Sequence, residues 1–372
     1  MKKVIIGLSG GVDSAVAAFL LQKEGYLVEG LFMRNWDSTL NNDFLGNPDL
    51  KNHSICPQEE DYNDALKVAD HLGIKLHRID FVKEYWDDVF KYFLSELKKG
   101  RTPNPDILCN KYIKFTAFKE KAFELGADFI ATGHYAKLKE GKLYKAKDKN
   151  KDQTYFLSQL TKEQLDKVLF PLSDITKPEV RKIAHDNNIP TMDKKDSTGI
   201  CFIGERKFKQ FLHNYFLDKP GQIINIKTHE VVGTHDGLMF YTIGQRRGLD
   251  IGGTKERLFV VGKNLKDNIL YVEEGENNPY LYSNGALIED VNFNSDLRPH
   301  KCMAKFRYRA PDFPVEVTYL DKTQVYLKYN NVKAVTPGQA CVFYLNDQCL
   351  GGGFIKTVYN DDKPLSYLGG DN

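Results

Sequence analysis

Residues 3–14 read KVIIGLSGGVDS, and the fold turns on how the last eight of them are read. An apolar run from Lys3 to Leu8 ends in Ser9-Gly10-Gly11, and VDSAVAAFLLQKEG then carries apolar residues at helical spacing until Gly25. Strand, glycine turn and helix in that order put backbone N–H groups and the positive end of a helix around one anion. The glycines let phosphate oxygens approach the main chain, and the Ser9 and Ser14 hydroxyls add donors. The lysine that reaches the β and γ phosphates in G-x-x-x-x-G-K-[ST] is missing, since Val12, Asp13, Ser14 and Ala15 follow Gly11. A loop of this kind is suited to holding the pyrophosphate that leaves when a nucleophile attacks an α-phosphate.

The pattern repeats outward from the loop. LVEGLFM (27–33) reads as a strand, EDYNDALKVADHLG as a helix, IKLHRIDF as a strand, residues 84–99 and IKFTAFKEKAFELG as helices, and ADFIATGHY as a closing strand. Such alternation predicts an α/β fold, a parallel sheet with helices on both faces, over residues 1–205. From residue 206 the chain is Gly-rich and short-stranded, and from residue 283 it runs through KCMAKFRYR, FPVEVTYL, TQVYLKYN and QACVFYL. This predicts a small β-rich central domain over 206–282 and a C-terminal β-barrel over 283–372. Residues 40–55, polar and Asn-rich, read as a surface excursion.

The 372 residues are 41% hydrophobic and 27% charged, more than one core can use. No apolar run is long enough to span a bilayer and the opening residues show no cleavable signal, so a cytoplasmic protein without membrane contact is expected. The net charge of +2 neither requires nor excludes a nucleic-acid partner. Any basic surface must be local. The six cysteines (56, 109, 201, 302, 341, 349) form no C-x-x-C pair, which argues against a zinc knuckle, and the default for each is a small buried hydrophobe. Two lie in other contexts. Cys109 follows two prolines in GRTPNPDILCNKYIKF, next to a helix expected to start near Lys111, with Lys111 and Lys114 favouring thiolate. Cys201 lies in the Gly-containing loop KKDSTGICFIGERKF.

The SGGxDS loop resembles that of the ATP pyrophosphatases, a group that includes argininosuccinate, asparagine, GMP and NAD synthetases and several tRNA-modifying enzymes. GLSGGVDS, TPNPDILCN, ATGHYA, KDQTYFLS, DSTGICFIGER, YTIGQRRGL and PGQA occur here in the order seen in the tRNA-specific 2-thiouridylase family (MnmA/TrmU). The resemblance runs from Lys3 to about Ile355. It implies that ATP binds along Gly7, Leu8, Ser9, Gly10, Gly11, Val12, Asp13 and Ser14, with Met33 and Gly133. It implies adenylation of the wobble uridine O2 and its replacement by sulfur. Cys201 carries that sulfur as a persulfide, Cys109 attacks it to release sulfide or to form a Cys109–Cys201 disulfide as a turnover state, and Asp106 is the candidate general acid/base.

The resemblance also places Asn104, Pro105 and Asp106 at the target base, which must leave its stack. His134, Lys151, Asp152, Gln153, Tyr308, Arg309 and Gln339 fall on tRNA-contacting positions. On the residues alone, core packing is the preferred reading of Met33, an exposed strand that of FRYR, and Asp106 reads as a turn residue after Pro105. The implied partners are tRNAs for Lys, Glu and Gln and a cysteine desulfurase or sulfur-relay protein, and a monomer is the default state. A magnesium ion is expected, to offset the nucleotide's charge. No residue cluster names its ligands, although Asp13 is a candidate. Tyr112 stands where the family often has an acidic residue. Two other readings share parts of this pattern: a small-molecule synthetase using the same loop, and a non-catalytic RNA- and nucleotide-binding protein with structural cysteines.

Overall fold

The computed structural model describes residues 1–45, 57–196, 199, 207–253 and 255–368. The chain forms two compact bodies. One comprises Met1–Phe90, Pro105–Asn214 and Asp347–Leu350, the other Lys91–Asn104, Tyr215–Asn346 and the chain from Gly351 on.

The first body is built on β1 (Lys3–Gly7), β2 (Leu27–Arg34), β3 (Leu76–Asp80), β4 (Phe129–Ala131) and β7 (Val168–Leu169). They lie in the order β3-β2-β1-β4-β7, and every pairing is parallel. Helix α1 (Val12–Lys23) and helix α2 (Pro57–Leu72) bury alanines and valines against the sheet, with Ala15, Val16, Ala17, Ala18, Ala65 and Val68 sealed from solvent. Small side chains let helix and sheet backbones approach closely, which is why an apparently weak amphipathic pattern still makes a core. The hairpin β5 (Ala136–Lys139) and β6 (Lys142–Lys145) follows β4, and β6 also pairs with residues 348–349.

Two helices depart from regular α geometry. The helix that starts at Val82 widens into a π-helical stretch at Trp86–Phe90, where Trp36 packs on Phe90 at 4.9 Å between ring centroids. The second starts at Pro105, not near Lys111 as the sequence reading expected. Proline lacks the N–H that the first helical position leaves unused, so it starts this helix rather than blocking it. The helix becomes π-helical over Cys109–Ala117, a geometry enriched at functional sites.

In the second body, β8 (Gly221–Asn225), β9 (Val231–His235), β10 (Leu258–Asn264) and β11 (Ile269–Glu274) form a sheet ordered β10-β11-β8-β9. Among the described residues, six antiparallel strands then close a barrel: β12 (Tyr282–Phe293), β13 (Lys301–Lys305), β14 (Phe313–Tyr319), β15 (Val325–Lys333), β16 (Ala340–Leu345) and β17 (Gln348–Asn360). Closure comes from the β12–β17 pairing, which joins the first and last of these six strands. The expected parallel sheet, central β-rich part and terminal barrel are all present. FRYR is not a strand, however. β13 ends at Lys305, and residues 306–310 turn, with the Ala310 N–H donating to Arg307 O at 3.0 Å. No helix among the described residues is long and apolar enough to cross a membrane.

Lys263, on β10, is 1% exposed, and its ammonium donates to Gly100 O at 2.9 Å. Burial lowers its pKa to about 7. The unfolded chain therefore binds this proton more readily than the fold does between about pH 7 and 10. The penalty is complete below pH 7 and fades as pH rises through that window. Urea midpoints of the wild type should accordingly rise from pH 7 to 10 relative to Lys263→Met. A constant difference between the two proteins across that range would contradict the burial argument.

Candidate active site

The loop between β1 and α1 is shaped by contacts a side chain would prevent. Gly10 has φ +75°, and a Cβ there would overlap the Asp61 carbonyl oxygen of α2. Gly133, just after β4, lies so close to the start of α1 that an added Cβ would fall 2.9 Å from Ser14 N and 3.0 Å from Asp13 C. On Gly7 it would fall 3.2 Å from Met33 Cε. Gly7, Met33 and Gly133, drawn from three neighbouring strands, thus converge on the loop at the carboxyl edge of the sheet, where open α/β folds hold ligands.

Gly11 takes the extended N-cap conformation without a side-chain cap, and Ser14 Oγ donates to Gly11 O at 3.1 Å. Ser9 N donates to Ser14 Oγ at 3.2 Å, and the two hydroxyls also meet at 3.2 Å. The two serines hold each other, and the first amides of α1 are left to an anion. This cradle fits a nucleotide phosphate.

A lysine does reach the loop, from a part of the chain that no local motif connects to it. Lys177, 164 residues away in sequence, donates to Asp13 Oδ1 at 2.7 Å, and Tyr135 Oη donates to the same oxygen at 2.8 Å. Lys177 also reaches Asp196 at 2.7 Å, as do Lys151 at 2.6 Å and Arg181 at 2.8 Å. Partial burial alone would raise the Asp196 carboxyl, but hydrogen bonds from Lys151 and Lys177, with their charges, bring it down to about 2. Lys194 spans Asp61 at 2.8 Å and Asp64 at 2.7 Å. Magnesium needs only one or two carboxylates beside phosphate oxygens, which Asp13 can offer, and no cluster of three or more metal-ligating side chains occurs among the described residues.

Cys109 is fully buried at the head of the π-helical stretch, and Asp106 sits half-buried in the first turn of the same helix, where the helix dipole favours a carboxylate. Asn110 Nδ2 donates to Phe156 O at 3.2 Å, and Lys111 Nζ to Gln159 Oε1 at 3.3 Å, which binds this helix to the KDQTYFLS segment and the residue that follows it. Within that segment Asp152 is buried and accepts from Ala146 N at 3.1 Å and Thr154 Oγ1 at 2.7 Å. Gln153 Oε1 accepts from Tyr135 N at 3.0 Å, so these two residues do structural work here, and Lys151 is paired with Asp196.

His134 is buried between Phe115 and Phe170, with Nδ1 2.7 Å from Thr132 Oγ1. Burial, with the Lys114 cation nearby, pushes its imidazole well below the usual range, and the ring is neutral at pH 7. Cys201 and Cys56 lie outside the described residues.

In the second body, Gln339 Nε2 donates to Thr102 O at 3.0 Å and Thr102 N to Pro337 O at 2.9 Å, which lays the PGQA turn against the segment leading to Asn104. Tyr308 is half-buried and Arg309 exposed in the turn after β13. Sequence reasoning missed Lys177, Tyr135 and Lys194, and only the spatial fold discloses them.

The fold and loop define an α/β protein whose β1–α1 loop has the form of an anion cradle, together with a β-barrel. Family models match in three consecutive parts: a tRNA methyl transferase HUP domain over residues 2–205, a tRNA methyl transferase PRC-barrel domain over 209–274 and an aminomethyltransferase beta-barrel domain over 283–355. The tRNA-specific 2-thiouridylase MnmA of Mycoplasmopsis synoviae is 57% identical over 369 residues, covering 99% of both chains. That of Bacillus cytotoxicus is 51% identical, covering 99% of this chain and 98% of its own. A 4-thiouridine synthetase solved with RNA and bound ATP is a distant partial likeness, 17% identical with a TM-score of 0.33, covering 57% of this chain and 50% of that one. The chain belongs to the tRNA-specific 2-thiouridylase (MnmA/TrmU) family of sulfurtransferases.

Gly10→Ala should lower stability by about 1–3 kcal/mol and weaken ATP binding at least about tenfold, because positive φ and the Asp61 carbonyl oppose a methyl group together. Thermal melts and ATP titration of the variant check both effects. An alanine variant that melts and binds as wild type would show that the loop does not depend on this contact.

Proposed function

We propose that this protein catalyses ATP-dependent 2-thiolation of the wobble uridine of tRNA. The observation that carries the reading is the anion cradle of Ser9–Ser14 in a chain 57% identical to a 2-thiouridylase across its length. The uridine O2 attacks the α-phosphorus of ATP, pyrophosphate leaves, and the adenylated C2 becomes open to sulfur. The amides at the start of α1 and the Ser9 and Ser14 hydroxyls receive the departing pyrophosphate, and Gly7, Met33 and Gly133 line the nucleotide. Magnesium, when bound, offsets phosphate charge, with Asp13 as its protein donor.

Cys201 carries the incoming sulfur as a persulfide, loaded by a cysteine desulfurase or a relay protein. The Cys109 thiolate attacks the Cys201 sulfur, forms the Cys109–Cys201 disulfide and releases hydrosulfide, which adds to C2 as AMP departs. A thiol reductant then supplies two electrons to regenerate both cysteines. Asp106 moves the proton at the reacting base, beside Asn104 and Pro105. His134, Lys151, Asp152, Gln153, Tyr308, Arg309 and Gln339 hold the tRNA. Of these, Asp152 and Gln153 act by shaping the segment from which Lys151 projects. The division at residues 205 and 282 separates the catalytic part from two parts that grip the RNA, and tRNAs for Lys, Glu and Gln are the substrates.

The test uses an unmodified tRNA-Lys transcript, magnesium-ATP and a persulfide donor, with AMP, pyrophosphate and mercury-gel retardation of the RNA as readouts. Wild type should give all three signals. Cys109→Ser and Cys201→Ser should each lose thiolation by at least about a hundredfold, the scale expected when a covalent step loses its nucleophile. Normal thiolation by the Cys201→Ser variant with the persulfide donor would overturn the mechanism. AMP formation without RNA would point to a small-molecule synthetase instead.

A further inference from the structure

The chain's net charge is only +2, yet residues 137–151, KLKEGKLYKAKDKNK, hold seven lysines against Glu140 and Asp148. Asp148 is buried and accepts from Lys177 N at 2.9 Å and Asn150 N at 3.0 Å, so it does little to offset the exposed lysines. The β5–β6 register pairs Lys137 with Tyr144 and Lys139 with Lys142. Directly opposed residues share a face of the hairpin, which sets three lysines around one half-buried tyrosine, while Ala136 and Leu143 are sealed in the core. Lysines directly opposite each other repel. Among the described residues, neither Lys139 nor Lys142 has a carboxylate in ion-pair range to relieve this.

A groove of about 400 Å³ beside the hairpin is lined by Lys137, Lys139, Tyr144, Lys145, Lys147 and Lys149. Asp174 and Asp347 also line it. Lys137 pairs with Asp174 at 2.7 Å, Lys147 with Glu179 at 3.1 Å and Lys149 with Asp347 at 2.9 Å. All six side chains are at least 40% exposed, and ion pairs of this kind are weak enough to exchange for a stronger anion. β5 ends its sheet, and lysines on an edge strand discourage pairing with other chains. That role explains Lys137 and Lys139, but not Lys142, Lys145, Lys147 or Lys149.

We propose that the β5–β6 hairpin and the loop after it form a docking face for the phosphodiester backbone of the RNA substrate, leading directly into Lys151. The proposal rests on the tRNA reading above. Lysines act on phosphates as mobile point charges, and a tyrosine among them offers an aromatic face to a base or sugar. A protein partner would need an apolar centre to the interface. No large hydrophobic residue of 137–151 is exposed.

The experiment measures binding of a tRNA-Lys transcript to the full chain across 50–300 mM salt. It compares wild type with the double variant Lys139→Gln/Lys142→Gln and a control, Lys23→Gln/Lys75→Gln, that removes the same charge elsewhere. The hairpin variant should bind about 5- to 20-fold more weakly at low salt, with a log–log salt slope shallower by about one to two, while melting as wild type. The control should match wild type. A hairpin variant with wild-type affinity and slope would overturn the proposal. So would unchanged RNA affinity with turnover lost only when a protein delivers the persulfide, which would assign the face to that protein. Failure of the wild type to bind tRNA would overturn the parent reading together with this one.

Discussion

The loop leading into α1 and the helix's first turn must meet two other backbones at contact distance, and the geometry of the candidate nucleotide site depends on that constraint. Gly10 brings it against the Asp61 carbonyl of α2, and Gly133 brings the end of β4 against Asp13 and Ser14. Each approach excludes a Cβ, and each fixes the loop from a different side. With the loop fixed, the two serines can bond to each other rather than wander, and the helix amides stay directed at one point in space. Preorganisation of this kind matters most when charge must be stabilised on a leaving group, because donors already in place need no reorganisation during the reaction.

Charge around the loop follows a similar economy. An Asp in the second position of a helix is favoured by the dipole, yet Asp13 is further held by Lys177 and Tyr135. Lys177 itself is nearly buried, and an unpaired ammonium there would be costly. Asp196 resolves this by gathering Lys177, Lys151 and Arg181 on one carboxylate. The arrangement connects Asp13, at the start of α1, to Lys151 through Lys177 and Asp196.

Much of the fold was legible because its signals are local. The alternation of short apolar runs with helical periodicity, and the Gly-rich loop between the first pair, define the parallel sheet without long-range information. The convergence of Gly7, Met33 and Gly133 was legible only through the family resemblance, because a methionine at a strand end looks like core. Lys177 and Lys194 were not legible, since a lysine in KPEVRK or DKKD carries no mark of the carboxylates it will meet. Two local readings failed for identifiable reasons. The helix expected from near Lys111 starts at Pro105, whose missing N–H suits a first helical position, and FRYR alternates like a strand although Arg307 turns inward to Thr336 Oγ1 and Ile243 O.

Burial of Cys109 bears on the proposed chemistry. A thiol closed off from solvent is protected from adventitious oxidants, and it reacts only with what the protein delivers to it. A second cysteine bearing a persulfide is a suitable delivery, because the sulfur arrives covalently attached and cannot be lost to water. The helix around Cys109 is π-helical, and its Lys111 carbonyl accepts from the Thr116 hydroxyl at 2.8 Å and from Gln164 Nε2 at 2.7 Å. Side chains therefore supply donors along this widened turn, which keeps an irregular helix satisfied while Cys109 and Asp106 are carried one turn apart on it. A regular α-helix would need no such support.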